Sequence, residues 1–288
     1  HGSTTVPSPV ALRNRDLGGG DASPDNPGVT DGRGALNVGL LVKTTGVVTY
    51  SGAGFFYIHD GSNRTDSPLD DGSGMLGVRI TSNIVASPGD WLEVTGVSST
   101  DTYNVPGRNI PTIMPRDAND VTWGSTLSTV TSPPGRVPAG WSLIAVPAIP
   151  EDPSPESVFA GIPIDGNLYR WEAASRSLMI YDAWSPESYG GILLGDGHWL
   201  QTTAPATISY EGRYQANDQW ISLPSVGWTL IGQPFNYSTP WANVKVHNGK
   251  SVLSMHDATR LEGWMNSVGY WWDSATQGLC DLGLEEDF

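Results

Sequence analysis

The sequence predicts an all-β protein built from more than one unit, and three observations carry that expectation. The 288 residues include 35 Gly and 22 Pro, too many chain-punctuating residues for long helices or a coiled coil. β-Branched and aromatic residues come in short runs separated by turn residues, the pattern of strands joined by tight connections. An internal repeat occupies the C-terminal half. Twelve Trp and ten Tyr within a 38% hydrophobic composition exclude disorder throughout. No apolar run approaches the ~20 residues that a spanning helix requires, so membrane insertion is not expected.

Residues 1–34 are rich in Gly, Pro, Asp and Ser and predict an extended N-terminal arm. Within it Val6, Ser8, Val10 and Leu12 would share one strand face. Pro7 and Pro9 would turn their missing N–H positions toward one edge, so the arm is expected to pair along the other edge only. A leader without fixed structure is the plainer alternative. Residues 35–122 predict five strands, carried by ALNVGLLVKTTGVVTY, GAGFFYIHDGS, GMLGVRITS, GDWLEVTGVSS and NIPTIMPRDANDVT. This spaced set resembles the OB-fold domains of bacterial secreted proteins, some of which sit beside extracellular nucleases. The resemblance covers about 90 residues and implies an OB-fold barrel; it speaks to fold and leaves function open. Residues 123–139, WGSTLSTVTSPPGRVPA, predict an extended Ser/Thr/Pro linker.

Residues 140–288 form a β-rich domain of two repeat units. Gly140-Trp141-Ser-Leu-Ile returns as Gly227-Trp228-Thr-Leu-Ile, and Tyr169-Arg-Trp171 returns as Tyr270-Trp-Trp272. The paired motif is similar to the GW-x-L-I-x-x-P repeats of secreted and surface-anchored bacterial proteins. Each unit reads as a strand, a loop or helical insert, then a Trp-containing hairpin. Ser154-Pro155-Glu156 should open a helical turn through Phe159. Ser251 to about Glu262 is the best helix candidate. Trp141 and Trp228, and likewise Trp171 and Trp272, are expected to recur because each unit buries them alike.

The first unit (140–226) continues after its hairpin with two more strands, ILLGDGHWLQTT and ATISYEGR. The interval from Trp171 to Trp199, counted from Trp272, runs past Phe288, so the second unit (227–288) is expected to be a shortened copy. A sheet lacking a strand leaves backbone groups unpaired and invites another chain. The arm is the expected donor, with Val6, Val10 and Leu12 at the assembly interface and head-to-tail propagation as the result. Three alternatives stand beside it: a naturally short unit, a truncated chain, or an edge capped by the terminal GLEEDF, whose Glu285, Glu286 and Asp287 would repel a pairing strand.

No nucleophile elbow, metalloprotease helix, P-loop or dinucleotide fingerprint occurs. His1, His59, His198, His247 and His256 have no metal-ligand spacing, and His256-Asp257 reads as a solvated polar pair. Asp60, Asp66, Asp70 and Asp71 are weak calcium candidates on an acidic loop that does not follow the EF-hand pattern; a solvated hairpin loop is the plainer reading. Asp16, Asp21, Asp25 and Asp31 form a looser cluster. No other cofactor is expected. In Phe55-Phe56-Tyr57-Ile58 one alternate pair must be core; Phe55 and Tyr57, with Tyr50, Trp91 and Tyr103 near them, are candidates for stacking on a ligand. Trp184, Trp220, Trp241 and Trp264 have no partner in the repeat and are better ligand or interface candidates than the matched indoles. Asn63 and Asn236 begin N-glycosylation sequons.

The net charge of −15, acidic in both halves, disfavours nucleic acid as a partner. The single cysteine, Cys280, precludes a disulfide within the 288 residues. A first residue of His1 instead of Met predicts processing or trimming, with removal of a secretory signal peptide and an extracellular or cell-surface location as the expectation and a cloning remnant, His1-Gly2-Ser3, as the alternative. Together these features predict a non-enzymatic structural protein that assembles with copies of itself into a filament or surface layer through strand or edge complementation. The alternative is a glycan-binding, less favourably nucleic-acid-binding, accessory module of a secreted enzyme.

Overall fold

The computed structural model describes residues 9–62, 64–68, 74–102, 108–173, 175–215, 218–223, 226–248, 251–266 and 269–282. It is all-β, with three short helices. The chain divides into two units. The first runs to Ser125 and takes back residues 218–223; the second holds Thr126–Gln215 and the residues from 226 onward.

In the first unit, β1 (Val10–Ala11), β2 (Leu41–Gly52), β3 (Phe55–His59), β4 (Thr65–Pro68), β5 (Gly74–Leu76), β6 (Val78–Thr81), β7 (Trp91–Asp101), β8 (Ile110–Met114) and β9 (Val121–Trp123) follow in order. Five of them close a ring, β2-β3-β6-β8-β7, with β7 returning to β2. All pairs in the ring are antiparallel except β6 with β8. Alternation places Val42, Val48, Phe56, Ile58, Val78, Ile80, Leu92, Val94 and Ile113 inside one core. Each such side chain contributes roughly 1.5–3 kcal/mol by leaving water. Gly77 makes the turn between β5 and β6 at φ +107°, where a Cβ would stand 2.0 Å from the Ile58 carbonyl oxygen.

The arm folds back on its own unit. β1 pairs in parallel with β2, and Leu12 N–H donates to the Lys43 carbonyl at 2.8 Å. The other side of Ala11 bridges Gln219, and Trp220 N–H donates to the Ala11 carbonyl at 3.1 Å. The strand is thus flanked on both sides, unlike the single-edge pairing expected from the prolines, because Val10 and Ala11 keep both backbone groups. A buried polar hub locks the next turn. Asn14 donates through Nδ2 to Thr44 Oγ1 at 2.9 Å, and its backbone N–H donates to Asp60 Oδ2 at 2.7 Å. Asp60 N–H returns a bond to Asn14 Oδ1 at 3.1 Å, and Arg13 pairs with Asp16 at 2.9 Å.

In the second unit, β10 (Ser128–Thr131), β11 (Gly140–Ile144), β12 (Ile149–Pro150), α1 (Pro155–Val158), β13 (Leu168–Glu172), β14 (Ser177–Ile180), α2 (Pro186–Tyr189), β15 (His198–Thr202) and β16 (Ser209–Arg213) build the first repeat. A four-stranded sheet, β11-β15-β13-β14, and a three-stranded one, β10-β16-β12, contribute to one core. That core includes Val130, Ile144, Phe159, Leu168, Tyr181, Tyr189, Leu200 and Tyr210. The Ser/Thr/Pro segment is not a free spacer: β10 pairs with β16, and Val130 and Val137 are buried anchors that hold it to this unit.

The second repeat follows with β17 (Lys245–His247), β18 (Val252–Ser254), α3 (Met255–Arg260), β19 (Gly269–Asp273) and β20 (Gly278–Leu282). Trp241, Met255 and Leu282 form a buried cluster there. The expected helix is shorter than the sequence suggested. Residues Val252–Ser254 pair with β17 instead, and Ser254 Oγ accepts from Asp257 N–H at 3.1 Å to cap α3.

Candidate functional site

The two repeats preserve the same local geometry. In β13–β14 the paired residues are Tyr169 with Ile180 and Trp171 with Leu178; in β19–β20 they are Tyr270 with Asp281 and Trp272 with Leu279, the same register. Each hairpin turns on a non-glycine residue of positive φ, Arg176 at 53° and Gln277 at 55°. Each GW motif begins on a glycine of positive φ, Gly140 at 102° and Gly227 at 132°. The Trp141 and Tyr169 rings lie 5.4 Å apart at 50°, and the Trp228 and Tyr270 rings lie 5.7 Å apart at 47°.

The copies also exchange bonds reciprocally. Trp171 Nε1 donates to the Trp228 carbonyl at 2.6 Å, and Trp272 Nε1 donates to the Trp141 carbonyl at 2.8 Å. Gln277 reaches across as well, accepting from Trp141 N–H at 2.7 Å and donating to its carbonyl at 2.9 Å. An indole from each copy on the GW carbonyl of the other is the signature of a pseudo-two-fold arrangement.

The arrangement breaks at one place. In the first repeat β15 lies between β11 and β13 and pairs antiparallel with both. Its Trp199 stands opposite Leu143 and Tyr169, and its ring meets Trp141 at 6.2 Å and Trp272 at 4.9 Å, edge-on in each case. In the second repeat, among the described residues, no strand lies between 227–231 and β19. Two consequences are visible. The segment 227–231 is not a strand and holds a single bridge, Ile231 with Asp196. Among the described residues β19 pairs with β20 alone.

Exposure follows from the same cause. Trp228 is 59% exposed, Tyr270 46% and Trp271 44%, whereas Trp141, Tyr169 and Trp272 are half-buried. The expectation that matched indoles are buried alike therefore needs correction: Trp228 lacks the strand that covers Trp141. The site is a backbone edge on β19 and on 227–231, walled by aromatic rings, able to add an extended strand by main-chain hydrogen bonds.

The other sequence candidates fall elsewhere. Val10 and Leu12 pack against the core of their own unit, not on an open donor face, and Val6 lies outside the described residues. Phe55 and Tyr57 point away from the ring interior but are buried with Met75 of β5, and the Arg79 guanidinium stands 4.3 Å from the Phe55 ring centre. They therefore offer no open stacking face, because Met75 packs against them. Tyr50 stacks on Phe55 at 5.8 Å, Trp91 is buried and Tyr103 lies outside the described residues. Trp220 is half-buried against the core of the first unit, and Trp241 is core in the second repeat. Trp184 is 94% exposed on a turn.

Asp60 is spent on the arm and on Ser62 N–H, which it accepts at 3.0 Å. Asp70, Asp71 and Asn63 lie outside the described residues, and for Asp66 only the backbone is described. Among the described residues no three metal-ligating side chains cluster. Asn236 is exposed on a bend, and Cys280 is half-buried in β20. The strongly perturbed tyrosines belong to the first repeat's core. Burial pushes the Tyr189 hydroxyl far above its usual range, and it hydrogen-bonds His198 Nδ1 at 2.8 Å. Burial, then a hydrogen bond to Glu156, pushes Tyr181 up to about 12.

Comparison with known proteins finds no matching family model, no similar curated protein and no similar solved structure. Among the described residues no helix is long and apolar enough to cross a membrane.

Proposed function

We propose that this is a non-enzymatic, extracellular structural protein that assembles with copies of itself by strand complementation at the second repeat. The observation that carries the reading is the position between 227–231 and β19, unfilled among the described residues, whose counterpart in the first repeat holds β15. One bound strand would pair on both sides, as β15 does. Each net hydrogen bond contributes about 0.5–1.5 kcal/mol, and burial of the exposed rings adds to it at ~25 cal/mol per Å². The arm is not needed as the donor. Val10 and Leu12 serve their own unit, and Pro7 and Pro9 cannot supply the N–H groups that a strand paired on both edges uses. A contact between unlike surfaces propagates unless its rotation closes.

Sedimentation velocity over a range of concentrations, with negative-stain imaging of the same samples, tests the reading. Species that grow with concentration into filaments, sheets or rings are expected. A monomer at every concentration would refute it. Glycan binding remains the second reading, favoured by the exposed rings of Trp228, Tyr270 and Trp271. It predicts a saturable change in Trp fluorescence with an oligosaccharide and no dependence of mass on concentration.

A further inference from the structure

We infer that the open position of the second repeat is a receptor for one kind of occupant: an extended strand from another polypeptide that carries a tryptophan where β15 carries Trp199. The inference rests on the strand position of the proposed function and names the chemistry of its partner. The first repeat supplies the template. There Trp199 pairs opposite Leu143 and Tyr169, and its ring is held between Trp141 and Trp272. Under the pseudo-two-fold, these four become Leu230, Tyr270, Trp228 and Trp171. All four are present, with Trp228 and Tyr270 already set at the template's ring spacing and angle. Only the indole that the template places among them is missing from the described residues.

Neighbouring positions refine the fit. In the template Leu200 faces Leu168 and Ser142, and His198 faces Arg170 and Ile144. The second repeat presents Gly269 where the first has Leu168, and Trp271 where it has Arg170. Leu282, the cross-strand partner of Gly269, comes within 3.4 Å of where a Cβ on that glycine would stand. A side chain of the neighbouring strand thus takes the place of the lost leucine, and the residue after the occupant's tryptophan need be no larger than leucine. The exchange of arginine for an exposed indole makes the rim aromatic, which suits an uncharged or aromatic residue just before the tryptophan. Main-chain pairing provides affinity, and the alternate side-chain pockets provide selectivity.

The test uses the full chain, at a concentration where it is monomeric, and a synthetic peptide with the sequence of residues 196–203, DGHWLQTT. Saturable binding is expected, read by Trp fluorescence and by slowed amide exchange at Tyr270, whose counterpart Tyr169 pairs with β15. The same peptide carrying Trp199→Ala should bind at least tenfold more weakly. Trp228→Glu, on an exposed ring, should weaken binding of the original peptide by at least tenfold while its circular dichroism and melting curve match the wild type. Trp184→Ala, on a distant exposed turn, should bind as the wild type does. Absence of saturable binding, or equal binding by both peptides or by the Trp228→Glu protein, would overturn the inference. A chain that assembles but ignores the peptide sinks this inference and spares the proposed function. A chain that binds the peptide but never assembles does the reverse.

Discussion

Trp141 and Trp228 hold the same place in a repeated motif, yet one is half-buried and the other 59% exposed. Residue type did not set that difference; the neighbouring strand did. The same reasoning explains Asn14, a polar residue with no exposure whose side chain serves Thr44 and Asp60 while its backbone N–H serves Asp60. Asn14→Ala should leave buried polar partners unsatisfied and lower stability by about 1–3 kcal/mol, measurable by urea denaturation. Asp120 gives a prediction in pH. Arg116 donates to both carboxylate oxygens, at 2.8 and 2.7 Å, and its backbone N–H adds a third bond at 2.9 Å. These bonds hold the Asp120 acid at about 2. Its unfolded value is roughly 3.9. The carboxylate therefore stabilises the fold above pH of about 4, and that contribution disappears as pH falls through about 2. The urea midpoint of Asp120→Asn should lie below the wild type at neutral pH, and the gap should close between about pH 4 and pH 2.

At the scale of elements, the five ring strands were legible because alternation of apolar residues and the turn residues between them agree with one another. Phe56 and Ile58 inside, with Phe55 and Tyr57 on the opposite face, follow from a period of two. What hides Phe55 and Tyr57 was not legible, since Met75 comes from a separate hairpin across a loop. The arm's pairing with β2 was equally out of reach, because two residues of strand held by a buried Asn leave no periodic signal. The Ser/Thr/Pro composition of 123–139 suggested a spacer, but two valines outweigh it once β16 offers an edge. The repeat was visible in its Trp spacing; its crossed indole–carbonyl bonds were not, because they join residues far apart in the chain. Two substitutions test these elements. Leu168→Ala, at the centre of the first repeat's core, should cost about 2–5 kcal/mol in urea denaturation. Gly77→Ala should cost about 2 kcal/mol or more, since it meets both a positive φ and the Ile58 carbonyl.

At the scale of the molecule, the second unit contains one repeat with its central strand in place and one without it among the described residues. An edge of that kind is normally shortened, charged or covered. Here its rim carries exposed Trp228, Tyr270 and Trp271, so none of those three positions supplies a charge that would resist strand addition. The acidic balance of −15 keeps single chains apart by long-range repulsion that salt screens. Assembly should therefore strengthen as ionic strength rises from 10 to about 150 mM, read by light scattering.

Amide hydrogen exchange at β19, followed as a function of protein concentration, tests the strand position most directly. In β13 the Tyr169 amide faces β15 while Arg170 pairs with β14. By the shared register Tyr270 faces the open edge and Trp271 is already paired with Cys280. Fast exchange is expected at Tyr270 in dilute monomer, with strong protection of that amide once assemblies form. Protection of the Tyr270 amide that is equal at every concentration, or assembly that leaves it exchanging freely, would refute strand addition at this edge.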